Sequence, residues 1–383
     1  WDRTTHGAGM VTPEVRRQFE ARGVRLVGSA AGRRFLLNEL LYGPTADVEL
    51  VAGDFPWERE EARLGALPGQ ADPSVIVAGP LALLCGGRLA QSGPSAWRFA
   101  KTLDLVGDLY LDQHRLDGVP VLPFAIGLEY MAEAAVAAGL EESDALELAD
   151  VRLFQGLRLA REDLPIEIEV RAEPVAAPER RRFDVTLAAA DGAGKIAYRA
   201  SVRAGEAAVG ETLPPPLVAD AAMAAVAVDE AYRRWLFHGP LFQSIARIDA
   251  LDRRGFDLVL APSRAADFCP FAERGEWLID PAVVDALFQG VLIWSRRVRD
   301  SATLPNRIGL IRRFGRDALP GELTARVRIH SDPSHPVTTG DAVFGDARGR
   351  VLLAVRQFEC TASAALNRLG GGWAGGVRGP QWS

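Results

Sequence analysis

The hydrophobic and polar positions of this chain run through the same order twice. After Pro123, the residues Phe124, Leu128, Met131 and Ala135 recur at helical spacing and predict a helix from Phe124 to Ala138 with an apolar face. Next come Gly156-Leu-Arg-Leu-Ala160, a turn at Asp163-Leu164-Pro165 and an alternating strand over Ile166–Val170. A hairpin follows, Phe183–Leu187 against Ile196–Ala200, turned by Asp191-Gly-Ala-Gly194. The second copy opens at Pro281, proline being favoured at a helix start, with an apolar face of Val284, Leu287, Phe288, Val291 and Leu292. Gly309-Leu-Ile311, a turn at Ala318-Leu319-Pro320, a strand from Leu323 to Ile329 and a hairpin turned by Asp346-Ala-Arg-Gly349 complete it. Each copy is a long helix followed by antiparallel strands with one apolar face, which predicts an α+β fold in which a sheet wraps a single helix.

The remaining segments divide around these copies. A helix from Pro13 to about Arg22, a second from Ala31 to Leu41 and an apolar strand at Val48–Ala52 predict a separate unit over residues 1–60. Charge, proline and glycine accumulate over residues 58–75 and place a linker at 61–75. The first copy then spans 76–202, a Pro214-Pro-Pro216 and alanine-rich connection 203–228, the second copy 229–365, and a flexible tail 366–383.

Composition narrows the class. A chain of 383 residues that is 48% hydrophobic buries a sizeable core and is not disordered. A net charge of -6, with Lys101 and Lys195 the only lysines, argues against nucleic acid as a partner. Cys85, Cys269 and Cys360 are widely spaced with no C-x-x-C pair, which predicts reduced thiols, neither a disulfide framework nor a zinc site, and a cytoplasmic setting. No apolar run is long enough to cross a membrane. The chain opens at Trp1, and is expected to be part of a longer polypeptide.

Candidate chemistry lies beside the two predicted helices. His114, followed by Gly118 and Pro123, puts an imidazole in a tight loop above one helix start. Asp285 and Gln289, one turn apart, share a face of the other helix. Each feature alone has an ordinary structural reading, but the duplicated scaffold that presents both makes them a split acid/base pair. His330 and His335 lack a third ligand nearby, and no metal is expected. The run from Arg312 to Arg316 reads as solvated arginines on an exposed strand edge rather than a docking patch for an acidic carrier.

Four segments in this order resemble the dehydratase domain of type I polyketide synthases. His114, Gly118 and Pro123 match an H-x-x-x-G-x-x-x-x-P motif, and Leu278, Pro281, Asp285 and Gln289 match L-x-x-P-x-x-x-D-x-x-x-Q. His238-Gly239-Pro240-Leu241-Phe242 is similar to a Y-G-P-x-F segment, with histidine where tyrosine is common, and Leu304-Pro305 with Gly309 is similar to L-P-x-x-x-G. The resemblance implies a double hot-dog, two antiparallel sheets each wrapped around a long central helix, with the site across their interface. It implies His114 as base, Asp285 as acid, Gln289 as the partner of that carboxyl or of the substrate hydroxyl, and Gly118, Pro123, His238, Gly239, Pro240 and Phe242 around the substrate. Loss of water from a 3-hydroxyacyl thioester needs such a pair, with a neutral histidine and a carboxyl kept protonated by burial. The Asp285 carboxyl, flanked by Val284, Leu287 and Phe288, is therefore expected to titrate above the ordinary range.

The same resemblance extends to partners. Residues 1–60 are similar to the carboxyl end of a ketoreductase but carry no dinucleotide fingerprint, so no NADPH is assigned. A ketoreductase tail directly before a dehydratase resembles the iterative enediyne and polyunsaturated fatty acid synthases. The substrate would ride on the phosphopantetheine of an acyl carrier protein, with no cofactor bound by the domain itself; neighbouring synthase domains and a homodimer are further implied partners. A cyclising product-template domain and a non-catalytic acyl- or carrier-binding scaffold are the alternatives on the same fold.

Overall fold

In-out alternation builds the strands. Along Asp163–Ala172 the side chains of Leu164, Ile166, Ile168, Val170 and Ala172 are buried, while their neighbours are less so. The computed structural model describes residues 75–77, 80–140, 144–159, 163–172, 182–190, 195–205, 211–218, 226–270, 272, 275–315 and 318–373. The expected ketoreductase-like unit at 1–60, all of the expected linker at 61–75 but Val75, and the turn at 191–194 lie outside them.

Fifteen strands are described: β1 (Val75–Ile76), β2 (Arg88–Gly93), β3 (Ala96–Asp104), β4 (Arg115–Leu116), β5 (Val119–Pro120), β6 (Ala145–Leu153), β7 (Asp163–Ala172), β8 (Arg182–Ala189), β9 (Ile196–Gly205), β10 (Ile245–Asp252), β11 (Gly255–Leu260), β12 (Ala302–Phe314), β13 (Leu323–Ile329), β14 (Val337–Gly345) and β15 (Val351–Ser363). Thirteen of them form one antiparallel sheet in the order β1-β2-β3-β7-β8-β9-β6-β12-β15-β14-β13-β11-β10, and β4 and β5 make a separate hairpin. The first seven in that order curl around helix α1 (Phe124–Ala137), and the last six around helix α2 (Pro281–Arg299). This is a double hot-dog. Its two expected sheets are continuous, because β6 pairs with β12 from Arg152↔Arg307 to Ala145↔Phe314.

Both helices are buried more completely than an amphipathic stripe requires. In α1 every residue from Phe124 to Ala135 is buried, and in α2 every residue from Pro281 to Ser295, because each helix has a sheet wrapped around it and the other helix beside it. Close wrapping depends on one glycine per helix. A Cβ at Gly127 would stand 2.6 Å from the Tyr198 ring, and one at Gly290 would run into the Phe256 ring. Tyr198 cannot easily yield, since it is fully buried with its hydroxyl donating to Leu122 O at 3.0 Å. Gly127→Ala is accordingly expected to destabilise the domain by about 1–3 kcal/mol, read as a lower denaturation midpoint.

Three local expectations are corrected. Asp163-Leu164-Pro165 is no turn: β7 already pairs with β3 at Asp163↔Asp104, and Pro165 stands near the strand's start, where the missing N–H is tolerated. Arg312 and Arg313 lie not on an edge but at the seam of the sheet, where Arg312 Nε meets Glu147 Oε1 at 2.6 Å and Arg313 is buried. The flexible tail expected from residue 366 is packed through Trp373. A 3-10 turn spans Ala364–Leu369, Leu369 is buried, and Trp373 Nε1 donates to Asp112 O at 3.1 Å.

The segment between the copies is also partly fixed. β9 continues to Gly205, and the carbonyls of Pro214 and Pro215 accept from Arg326 and Arg328 on β13, which pins the proline run to the second copy. The described residues 211–218 of the connection thus form a packed strap, and a helix begins at Val228. Among the described residues no helix is long and apolar enough to cross a membrane.

Candidate active site

A two-residue turn positions His114. Asp117 and Gly118 have φ of 52° and 79°, the paired positive values that a tight hairpin between β4 and β5 requires. His114 and Val121 flank that hairpin, with Val121 N donating to His114 O at 3.0 Å and His114 Nδ1 contacting Val121 O at 2.9 Å. A carbonyl can only accept, so Nδ1 carries the proton and Nε2 keeps its lone pair free. Pro123 then caps α1, its carbonyl accepting from Gly127 N at 3.1 Å. The packed tail braces this loop, since Arg368 Nη2 pairs with Asp117 Oδ2 at 2.7 Å.

The segment at 238 is held against the histidine loop by backbone. His114 and His238 form an isolated antiparallel bridge, and Gly239 N donates to Gln113 O at 2.7 Å. Gly239 is required by this approach, because a Cβ there would run into Gln113 Oε1 and stand 3.1 Å from the Gln113 Cα. The His114 and His238 rings lie 5.4 Å apart, and Phe237 stacks on His238 at 4.1 Å.

Asp285 is positioned from both halves. Asp280 caps α2, accepting from Ala282 N and Val283 N, and Pro281 follows it. The two residues before the cap are tied to α1: Glu129 accepts from Leu278 N and Ile279 N, each at 2.7 Å. Within α2, Gln289 Nε2 donates to Asp285 Oδ2 at 2.7 Å and to Phe242 O at 2.8 Å. Tyr232 fixes the amide's orientation by donating its hydroxyl to Gln289 Oε1 at 2.8 Å. Tyr232→Phe removes that lock, and about a tenfold drop in kcat with KM nearly unchanged is expected in steady-state kinetics of the domain's reaction.

The second partner of the carboxyl is His238, whose Nε2 stands 3.2 Å from Asp285 Oδ2. Burial, then the neighbouring His114, hold His238 well below its ordinary pKa, so the imidazole is neutral and this contact is a hydrogen bond and not an ion pair. Oδ2 thus faces two N–H donors, Gln289 and His238, which leaves Oδ1 to carry the carboxyl proton. Burial raises the Asp285 carboxyl to about 7, against the lowering effect of the Gln289 bond, and lowers His114 to about 4. At neutral pH the site therefore pairs a neutral imidazole with a carboxyl near half-protonation.

These groups open on one cavity of about 340 Å³ lined by His114, His238, Asp285, Gln289 and apolar side chains including Leu122, Phe124 and Phe288. One ring nitrogen of each histidine and one oxygen of Asp285 lie within 4.8 Å of one another. Gly118, Pro123, Gly239, Pro240 and Phe242 are not on the cavity wall. The first four shape backbone, and Phe242 supplies the carbonyl that holds Gln289.

Sequence reasoning missed Tyr232, Glu129 and Asp280. Glu129 and Glu133 do leave a signal, two acids one turn apart inside an otherwise apolar helix. Tyr232 leaves none, since its partner Gln289 is 57 residues away.

Both halves of the chain are similar to known proteins. The family model described as polyketide synthase dehydratase domain matches residues 83–188, and that described as polyketide synthase dehydratase N-terminal domain matches residues 210–369. A polyunsaturated fatty acid synthase polypeptide of Thraustochytrium sp. is 26% identical over 320 residues, 80% of this chain and 10% of that protein. Lovastatin diketide synthase of Aspergillus terreus is 29% identical over 125 residues, 31% of this chain and 5% of its own length. The chain therefore spans about a tenth or less of these relatives. Among solved structures, GphF dehydratase 1 superposes with a TM-score of 0.58 at 21% identity, covering 74% of this chain and 99% of that one. The dehydratase domain from the CurJ module of curacin polyketide synthase gives 0.56 at 16% identity, covering 73% and 96%. With dehydratase models matching each half and the fold of the solved dehydratase domains, this chain belongs to the polyketide synthase dehydratase family.

Proposed function

We propose that this domain removes water from a 3-hydroxyacyl thioester through His114 and Asp285. The observation that carries the reading is the shared cavity, in which a histidine with a free Nε2 lone pair and a carboxyl raised to about 7 lie close enough to flank adjacent carbons of one substrate. His114 Nε2 takes the proton from the carbon next to the thioester carbonyl. The C–O bond at the 3-position breaks, and Asp285 Oδ1 gives its proton to the departing hydroxyl. The products are a 2-enoyl thioester and one water; His114 has gained a proton and Asp285 has lost one, and exchange with solvent restores both. Gln289 and His238 hold Asp285 in place through Oδ2.

Both proton transfers belong to side chains, so the reaction uses no cofactor and no metal. The thioester arrives on the phosphopantetheine of an acyl carrier protein, and the domain works in the cytoplasm beside other synthase domains, as a homodimer. Kinship with the polyunsaturated fatty acid synthase supports an iterative synthase of that kind, with the ketoreductase tail at residues 1–60 before it. The test is ultraviolet absorbance of the conjugated enoyl thioester after mixing the domain with 3-hydroxyacyl pantetheine thioesters of several lengths. Absorbance growth supports the reading; its absence together with cyclisation of a poly-β-keto thioester would replace it with the product-template reading.

A further inference from the structure

The geometry points to a second ligand for the same cavity: a divalent transition-metal ion of the zinc class, bound by His114, His238 and Asp285 and excluding substrate. Two imidazole nitrogens and one carboxylate oxygen within 4.8 Å of one another make an N,N,O donor set. Such a set suits zinc and its neighbours and not magnesium or calcium, which favour oxygen alone.

Spacing and outer contacts support the assignment. Ligand atoms at ordinary zinc distances on one tetrahedral ion stand about 3.3 Å apart. His238 Nε2 and Asp285 Oδ2 are already 3.2 Å apart, the separation that two ligands of one such ion require. The contacts that usually steady metal ligands are in place, with His114 Nδ1 on the Val121 carbonyl and Asp285 bonded by Gln289. To ligate through Nε2, His238 shifts its ring proton to Nδ1, which is buried without a hydrogen-bond partner, and breaks no bond but the one to Asp285. The open side of the cluster faces the cavity and leaves a fourth position for water.

An ion there occupies both His114 and Asp285 and stands where the reacting carbons must sit. It is a dead-end inhibitor, competitive with substrate, and its binding is independent of whether the proposed elimination is correct.

The test is titration of the metal-free domain with Co²⁺, then Zn²⁺, without substrate. One Co²⁺ per chain, with the visible absorption of a four-coordinate ion and displacement by Zn²⁺, is expected. His238→Phe, with its fold checked by circular dichroism, should lose that absorption and weaken zinc binding by at least about 100-fold. Unchanged metal binding in that variant, or no stoichiometric binding by the wild type, would overturn the inference. Should the variant not fold, anomalous diffraction from a wild-type crystal soaked in zinc decides: a peak between the three side chains upholds the site, and a peak elsewhere or none refutes it.

Discussion

His114→Ala and Asp285→Asn should each slow water elimination by about 10²–10⁴-fold, a barrier increase of roughly 3–5 kcal/mol. Alanine removes the Nε2 lone pair that takes the proton in the proposed elimination. Asparagine keeps the shape of the carboxyl and can still accept from Gln289 and His238, but it has no proton to give the leaving hydroxyl. Both variants should stay folded, since neither side chain anchors the core as Glu129 or Tyr198 does. The double variant should be little worse than either single one, because the two groups act as a unit. Single-turnover rates with one 3-hydroxyacyl thioester measure all three; a scaffold that only holds acyl chains would give no change.

The second large effect is on pH. Elimination requires His114 neutral and Asp285 protonated. With His114 lowered to about 4 and Asp285 raised to about 7, both conditions hold between those values. The rate should be flat across that window and fall about tenfold per pH unit above it, reaching about 100-fold by pH 9. The limbs belong to the His114–His238–Asp285 cluster as a whole, because the three groups lie close enough for the charge of one to affect the others. An ordinary carboxyl and an ordinary histidine would be in the wrong state together at neutral pH, one ionised and the other partly charged. A rate that rises through pH 7 would reverse the assignment of acid and base.

Burial that sets these values was partly legible in the sequence. Val284, Leu287 and Phe288 around Asp285 announced an apolar setting, and the raised carboxyl follows from it. The helices were legible because helical spacing over Phe124–Ala137 and Pro281–Arg299 is a local signal. His114, Gly118 and Pro123 were legible for the same reason: Asp117-Gly118 encodes its own turn within four residues.

Long-range pairing was not. The seam between β6 and β12 joins residues about 160 positions apart, and β6 itself carries only partial alternation, so neither the continuous sheet nor the place of Arg312 and Arg313 in it was legible. Tyr232, which orients Gln289, and the tail that braces the His114 loop are likewise set by contacts distant in sequence. His238 stands between the two cases: the motif located it, but only the structure brings it to the Asp285 carboxyl.

The most direct measurement is mass spectrometry of a 3-hydroxyacyl group on its carrier protein after incubation with this domain, beside His114→Ala and Asp285→Asn. The account predicts loss of one water with the wild type and an intact 3-hydroxyacyl group with either variant. A folded wild type that eliminates nothing across chain lengths and both hydroxyl configurations, or variants that eliminate as fast as the wild type, would contradict it.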